Sequence, residues 1–223
     1  MTRPLAVLLA ITWVTAVVPA AAQSPATSGR VEVGGGLLWI GAQPLGSRTA
    51  TETTGTGGTL PLFTETSTLS AAPGVDARIA VKVTPTVEAE ASTSYARPSV
   101  RTQLGGDFEN APTLTATDRV QQFTVSGGAN WYFLRRSSAV TPFLGVSAGY
   151  LRQLHENATL AQTGQQYQIG GGVKVMLTSR AHQRLRGAGI RADARALIRS
   201  NAISFDGRRP ASLAIGVSLF LRF

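Results

Sequence analysis

The last twelve residues, Ser212 to Phe223, alternate without a break. Leu213, Ile215, Val217, Leu219, Leu221 and Phe223 fall on one side, and Ser212, Ala214, Gly216, Ser218, Phe220 and Arg222 on the other. A side-chain period of two belongs to a β-strand, and here it gives the strand one fully apolar face. The strand, and the sequence, stop on an aromatic residue.

Seven further segments show the same period. They are Arg30 to Gly41, Gly74 to Val83, Val87 to Ala96, Arg119 to Phe133, Pro142 to Arg152, Gln165 to Leu177 and Ala188 to Ser200. In the second of the eight, Val75, Ala77, Ile79, Val81 and Val83 oppose Asp76, Arg78, Ala80 and Lys82. In the segment before the last, Ile190, Ala192, Ala194, Ala196 and Ile198 oppose Arg191, Asp193, Arg195 and Arg199. Helical signals are weak, with one short candidate turn at Arg180 to Arg186. The connections alternate in character. Ala42 to Pro73, Arg97 to Asp118, Gln153 to Gly164 and Asn201 to Arg209 read as long or polar linkers, the first rich in Thr, Gly and Ser and expected to be mobile. Thr84-Pro85-Thr86, Leu134 to Thr141 and Thr178 to Gly187 are shorter. A turn centred on Pro85 predicts paired positions whose numbers sum to 170, so that Lys82 faces Glu88 and Val83 faces Val87.

The terminal strand resembles the closing strand of bacterial outer-membrane β-barrels. That resemblance implies that Leu219, Leu221 and Phe223 belong to the signal read by the outer-membrane assembly machinery; Ser218 and Leu221 depart from its usual Gly and aromatic residue. An even strand count, both termini at one end and long loops at the other are features of such barrels. Aromatic placement agrees. With odd strands running outward, Trp39, Tyr95, Phe123, Tyr150 and Tyr167 fall near one rim, and Trp131, Phe133, Phe143 and Phe223 near the other. The whole pattern resembles the OmpA/OmpX-type eight-stranded barrels. It implies an all-β fold, an eight-stranded antiparallel up-and-down transmembrane β-barrel over residues 23–223. It also implies a monomer in the outer membrane of a Gram-negative bacterium, in contact with outer-membrane lipids and lipopolysaccharide, needing no cofactor. The expected role is structural or surface-interacting and non-catalytic. The alternatives are a narrow channel for ions or small apolar solutes, and a lipid A-modifying enzyme. The extracellular ligand is unspecified.

The amino terminus supplies a route for export. Arg3 precedes an uncharged run from Leu5 to Val18, and Ala20-Ala21-Ala22 offers a cleavage site before Gln23. The run has fourteen residues, against the roughly 20 that a membrane helix needs. Residues 1–22 are therefore expected to be a cleaved secretory signal. No Cys follows the small residues, which excludes a lipoprotein, and the chain has none anywhere. Charged residues make up 15%, below the ~25% of soluble domains, yet mean hydropathy is only +0.08. Apolar surface hidden on alternate strand residues reconciles the two. The formal charge of +9 comes almost wholly from arginine, with Lys82 and Lys174 the only lysines. Dispersed over strands and turns of an exported chain, this basicity does not point to nucleic acid.

A soluble barrel would turn the apolar face inward. Aromatic rims, the terminal Phe223 and near-balanced charge on the polar face favour the opposite orientation, with a lumen network of Glu32, Asp76, Glu88, Glu90 and Asp193 against Arg78, Lys82, Lys174, Arg191, Arg195 and Arg199. Enclosed charges need partners, because desolvating an unpaired ion costs several kcal/mol. Glu88 and Glu90 are read as balancing Lys82 and Arg78. Small residues such as Gly145, Gly170 and Gly172 are expected to make room for long side chains. This network reads as a static polar plug, with a gated ion path as its alternative. At the outer ends of neighbouring strands, Arg97, Arg119 and Arg152, with Arg101 nearby, are expected to form one patch that contacts lipopolysaccharide phosphates.

Other chemistry finds little support. His155 and His182 fall at opposite ends of the barrel, so a metal site is not expected. Beside His155 and Glu156, Asn157 stands where one lipid A-modifying family carries Ser. Glycine runs at Gly34 and Gly170 lack the Lys and the helix of a phosphate loop.

Overall fold

The computed structural model describes residues 30–106, 112–134, 139–155, 161–179, 185–200 and 211–223. The expected signal segment, the candidate turn at residues 180–184, His182, Glu156, Asn157 and the connection 201–210 lie outside them.

Eleven strands make up the described chain: β1 (Val31–Ile40), β2 (Gln43–Thr53), β3 (Thr59–Leu69), β4 (Ala72–Lys82), β5 (Val87–Ala96), β6 (Ser99–Gly105), β7 (Leu114–Tyr132), β8 (Val140–His155), β9 (Ala161–Ser179), β10 (Gly187–Ser200) and β11 (Ala211–Arg222). Eight of them close a ring in the order β1, β4, β5, β7, β8, β9, β10, β11, with every neighbour antiparallel and β11 returning to β1. Closure leaves no unpaired edge around the ring. The seam pairs Glu32 with Arg222 and Ile40 with Ala214.

The β4–β5 turn follows from its sequence. Pro85 lacks an N–H and favours a turn. The Thr84 hydroxyl accepts from the N–H groups of Thr86 (3.3 Å) and Val87 (3.0 Å). The resulting register sets Lys82 opposite Glu88 and Gly74 opposite Ala96, the pairs that sum to 170.

Two of the segments read as linkers are built differently. Residues of the Thr-rich first connection form the β2–β3 hairpin, and those of the second form β6 and the first turn-proximal stretch of β7. These four strands make a second sheet, β2-β3-β6-β7. Because β7 is 19 residues long and runs through both sheets, the wall made by β1, β4, β5 and β7 continues beyond the ring at the loop end. Tripeptide-scale propensity misses this because Thr and Ser form strands chiefly through cross-strand partners. Ser47 meets Thr66 (3.2 Å), Thr49 meets Thr64 (3.3 Å) and Ser67 meets Thr102 (2.9 Å). Gly57 closes the hairpin tip at φ 83, a left-handed value that favours glycine.

The ring is inverted relative to a soluble domain. Leu37 is 71% exposed, Leu219 64% and Trp131 62%, whereas Lys174 is 3% exposed and Arg191 2%. Apolar residues of all eight ring strands form a continuous outward belt. On β11 it runs from Leu213 to Phe223. Ten residue rises of about 3.3 Å, tilted about 40°, span about 25 Å, the height of the apolar band on membrane barrels.

Candidate functional site: a filled lumen and an arginine-bearing rim

Inward-facing side chains fill the ring in layers. At the end of the ring where Val31 and Phe223 lie, Lys174 from β9 donates to Glu32 on β1 and to Glu88 on β5, the latter at 2.9 Å. Arg222 donates to the other oxygen of Glu32 from Nε at 2.9 Å and Nη2 at 2.7 Å. The Tyr132 hydroxyl donates to Glu88 at 2.8 Å. The Lys174 ammonium also lies 5.2 Å from the Tyr132 ring centroid and 5.4 Å from that of Phe220, a cation–π arrangement on both sides.

The middle layer centres on Asp193 of β10. It accepts from Arg195 Nε (2.6 Å), Arg191 Nε (2.9 Å) and Arg78 Nη1 (3.1 Å). Arg78 also pairs with Asp76, and Arg191 with Glu90. Asn130 donates to Glu90 at 2.8 Å, and Arg195 donates to Gln168 at 3.2 Å. The two layers are neutral: Glu32 and Glu88 against Lys174 and Arg222, then Asp76, Glu90 and Asp193 against Arg78, Arg191 and Arg195.

Above them Leu38, Ile40, Ala96, Leu197 and Ala214 form an apolar layer. Arg199 follows, buried, donating to the amide oxygens of Gln43 and, at 3.3 Å, Gln166. Leu45, Leu69, Val100 and Val120 then pack beneath the extension. Two cavities inside the ring are each about 20 Å³, room for little more than a water molecule. One is lined by Glu90, Asn130 and Arg191, the other by Asp76, Ser92 and Gln166; Arg195 and Gln168 border both.

Several details differ from the sequence reading. Glu88 engages Lys174, and Glu90 engages Arg191, across the lumen; Arg78 goes to Asp76 and Asp193. Lys82 sits at the strand end, half-buried, in register with Glu88. Phe143 is not part of an outward aromatic rim: it is buried in the lumen, 5.7 Å from the Tyr132 ring, with the Arg191 guanidinium 4.4 Å from its centroid. The glycines serve two ends. Gly145 leaves space for the Asn130 side chain, but a Cβ on Gly172 would lie 2.1 Å from the Ala192 carbonyl oxygen, so there the need is close approach of two backbones at a sharply curved wall. Arg222 belongs to the network although only its alternation with Leu221 and Phe223 signalled it. His155 has a partner that its sequence neighbours do not signal: its Nδ1 lies 2.5 Å from Asp118 Oδ2 at the loop end, a contact between β8 and the extended part of β7.

On the outward face of the loop end, Tyr95 pairs in register with Phe123, and Phe123 with Arg152. Arg97 donates to the Tyr95 hydroxyl at 2.5 Å and stacks 5.5 Å over its ring. Arg119 stands opposite Ser99, and Arg101 opposite Thr117. All four arginines are exposed and share the outward face. They are staggered rather than clustered, rising over about 20 Å of strand from the rim onto the extension.

A closed antiparallel ring of eight strands, apolar outside and charged within, is the fold of the eight-stranded outer-membrane β-barrels, and this chain has it. No protein-family model matches the sequence, and no curated protein does. Among solved structures it is similar to the outer membrane protein OprG from Pseudomonas aeruginosa, with a TM-score of 0.52 and 10% identity over 90% of this chain and 98% of that one. It is also similar to Neisserial surface protein A, with a TM-score of 0.50 and 11% identity over 86% of this chain and 97% of that one. At such identity the likeness is one of fold.

Proposed function

We propose that this chain is an integral outer-membrane barrel whose lumen is sealed by its own ion pairs, and that it acts as a monomer at the cell surface through its loop end, without catalysis. The observation that carries the reading is the inversion of polarity. Large apolar side chains project from seven of the eight ring strands, with Ala89 and Ala91 outward on β5, while buried charges neutralise one another inside the ring. Water would penalise such an exterior at about 25 cal/mol per Å², and a lipid bilayer would not. The layered filling of the lumen favours a closed barrel over a channel. The extension built from β2, β3, β6 and β7 supplies an ordered surface beyond the membrane, and recognition commonly resides in such segments.

The test begins with the exported protein. Unboiled protein should sediment with outer membranes and migrate faster than boiled protein on a denaturing gel. Recovery in the soluble fraction with an unchanged band would contradict the membrane assignment. In planar bilayers the purified protein should give no steady conductance; regular unitary steps would replace the sealed barrel with a channel.

A further inference from the structure

Part of the outward surface departs from the plain apolar belt. Between β8 and β9 a shallow groove of about 400 Å³ opens outward, floored by Ala148 and Gly149 and bounded by Tyr150, Gln165 and Tyr167. It sits within the aromatic rim at the loop end, where the Tyr167 hydroxyl donates to Gln165 at 2.7 Å. Arg152 stands two residues beyond Tyr150 on the same face, opposite Thr163. From there Arg97, Arg119 and Arg101 continue the positive charge across β7 onto the extension.

The two faces of the extension are unlike in charge. On the face that continues the lumen, shown by the register partners Leu104 and Val100, charges are matched: Glu65 stands opposite Arg48, and Asp118 meets His155. The opposite face, continuous with the apolar belt, carries the Ser47–Thr66 and Thr49–Thr64 hydroxyl pairs together with Arg101 and Arg119. Such a surface offers, in ascending order, an aromatic-walled groove, guanidiniums and hydroxyls. An amphiphile with acyl chains, phosphates and sugars in that order matches it.

We infer that this surface seats a lipopolysaccharide molecule, with its acyl–sugar boundary in the Tyr150/Tyr167 groove and its phosphates on Arg152, Arg97, Arg119 and Arg101. The inference rests on the outer-membrane reading above. Arginine suits the role because its planar fork binds phosphate oxygens in pairs.

The experiment uses the full mature chain, folded in detergent and checked by its fast-migrating gel band. It is incubated with intact lipopolysaccharide, with dephosphorylated lipopolysaccharide, or with phosphatidylglycerol, and bound lipid is measured after gel filtration together with thermal stability. Intact lipopolysaccharide should be retained and should raise the melting temperature; the other two should do neither. The R97Q/R101Q/R119Q/R152Q variant should bind about tenfold more weakly, the sum expected of several partly exposed charge contacts. Ala148→Trp, which fills the groove and keeps the arginines, should also reduce retention and decides the matter if the quadruple variant does not fold. Equal retention of dephosphorylated lipid or of phosphatidylglycerol by the wild type would overturn the inference, as would wild-type affinity in either variant. Absence of the fast-migrating band would instead count against the membrane barrel itself.

Discussion

Replacing Asp193 with asparagine keeps the volume of the side chain and removes the charge on which three guanidiniums converge. Arg195, Arg191 and Arg78 approach it at 2.6, 2.9 and 3.1 Å, and its side chain is 2% exposed. The middle layer then holds Arg78, Arg191 and Arg195 against only Asp76 and Glu90. Breaking a buried pair from one side costs about 3–5 kcal/mol. Asparagine keeps one of the two acceptor oxygens, so Asp193→Asn should cost about 3 kcal/mol, the lower end of that range. Adding Arg195→Gln restores charge balance, and the double variant should recover most of that loss, to within about 1 kcal/mol of wild type. Reversible urea unfolding of the barrel in lipid vesicles, followed by tryptophan fluorescence, reads both values. A water-filled lumen would screen these charges. In that case Asp193→Asn would cost less than about 1 kcal/mol and the second substitution would rescue nothing. That pair of results would refute the sealed lumen.

Three further outcomes follow from the same structure. Val217→Arg places a charge in the middle of the β11 belt and should destabilise the vesicle-embedded barrel by about 2–4 kcal/mol, measured by the same unfolding assay. Gly172→Ala forces a Cβ to within 2.1 Å of the Ala192 carbonyl and should slow folding into vesicles and lower stability, whereas Gly55→Ala, with open space around it, should do neither. Deleting Phe223 should reduce outer-membrane insertion and increase degradation of the exported chain, seen by fractionation; normal insertion would remove Leu219, Leu221 and Phe223 as an assembly signal.

What could be read in the residues depended on how local the determinant was. The ring strands announce themselves because alternation is a property of one segment, and the β4–β5 register follows from Pro85 and the parity of Val83 and Val87. The β2–β3 hairpin does not announce itself. Its apolar residues keep no single parity, with Leu60 and Leu62 on one and Phe63 and Leu69 on the other, and its Ser and Thr residues become strand only when Thr66 and Thr64 stand opposite Ser47 and Thr49. Ion-pair partners are less accessible still. Glu88 and Lys174 are 86 positions apart, and they meet because the lumen is narrow, not because either strand specifies the other. The inward direction of Phe143 was in fact carried by its parity with Gly145, and its aromatic character hid it. The pairing of His155 with Asp118 is not legible in either segment, because it depends on the strand extension that brings the two together.

A barrel that spans a membrane must meet lipid with its apolar face. Trp39 and Trp131, near opposite rims, both project outward. The chain from Gln23 onward, which carries Trp39 and Trp131 but not Trp13, reports this contact directly when reconstituted in bilayers of brominated phospholipid, because bromine quenches indole fluorescence only at short range. Both tryptophans should be quenched most by bromine placed near the headgroups, and a tryptophan introduced by Ile169→Trp, in the middle of the belt, most by bromine deep in the acyl chains. Emission that is indifferent to bromine at every depth would contradict the account.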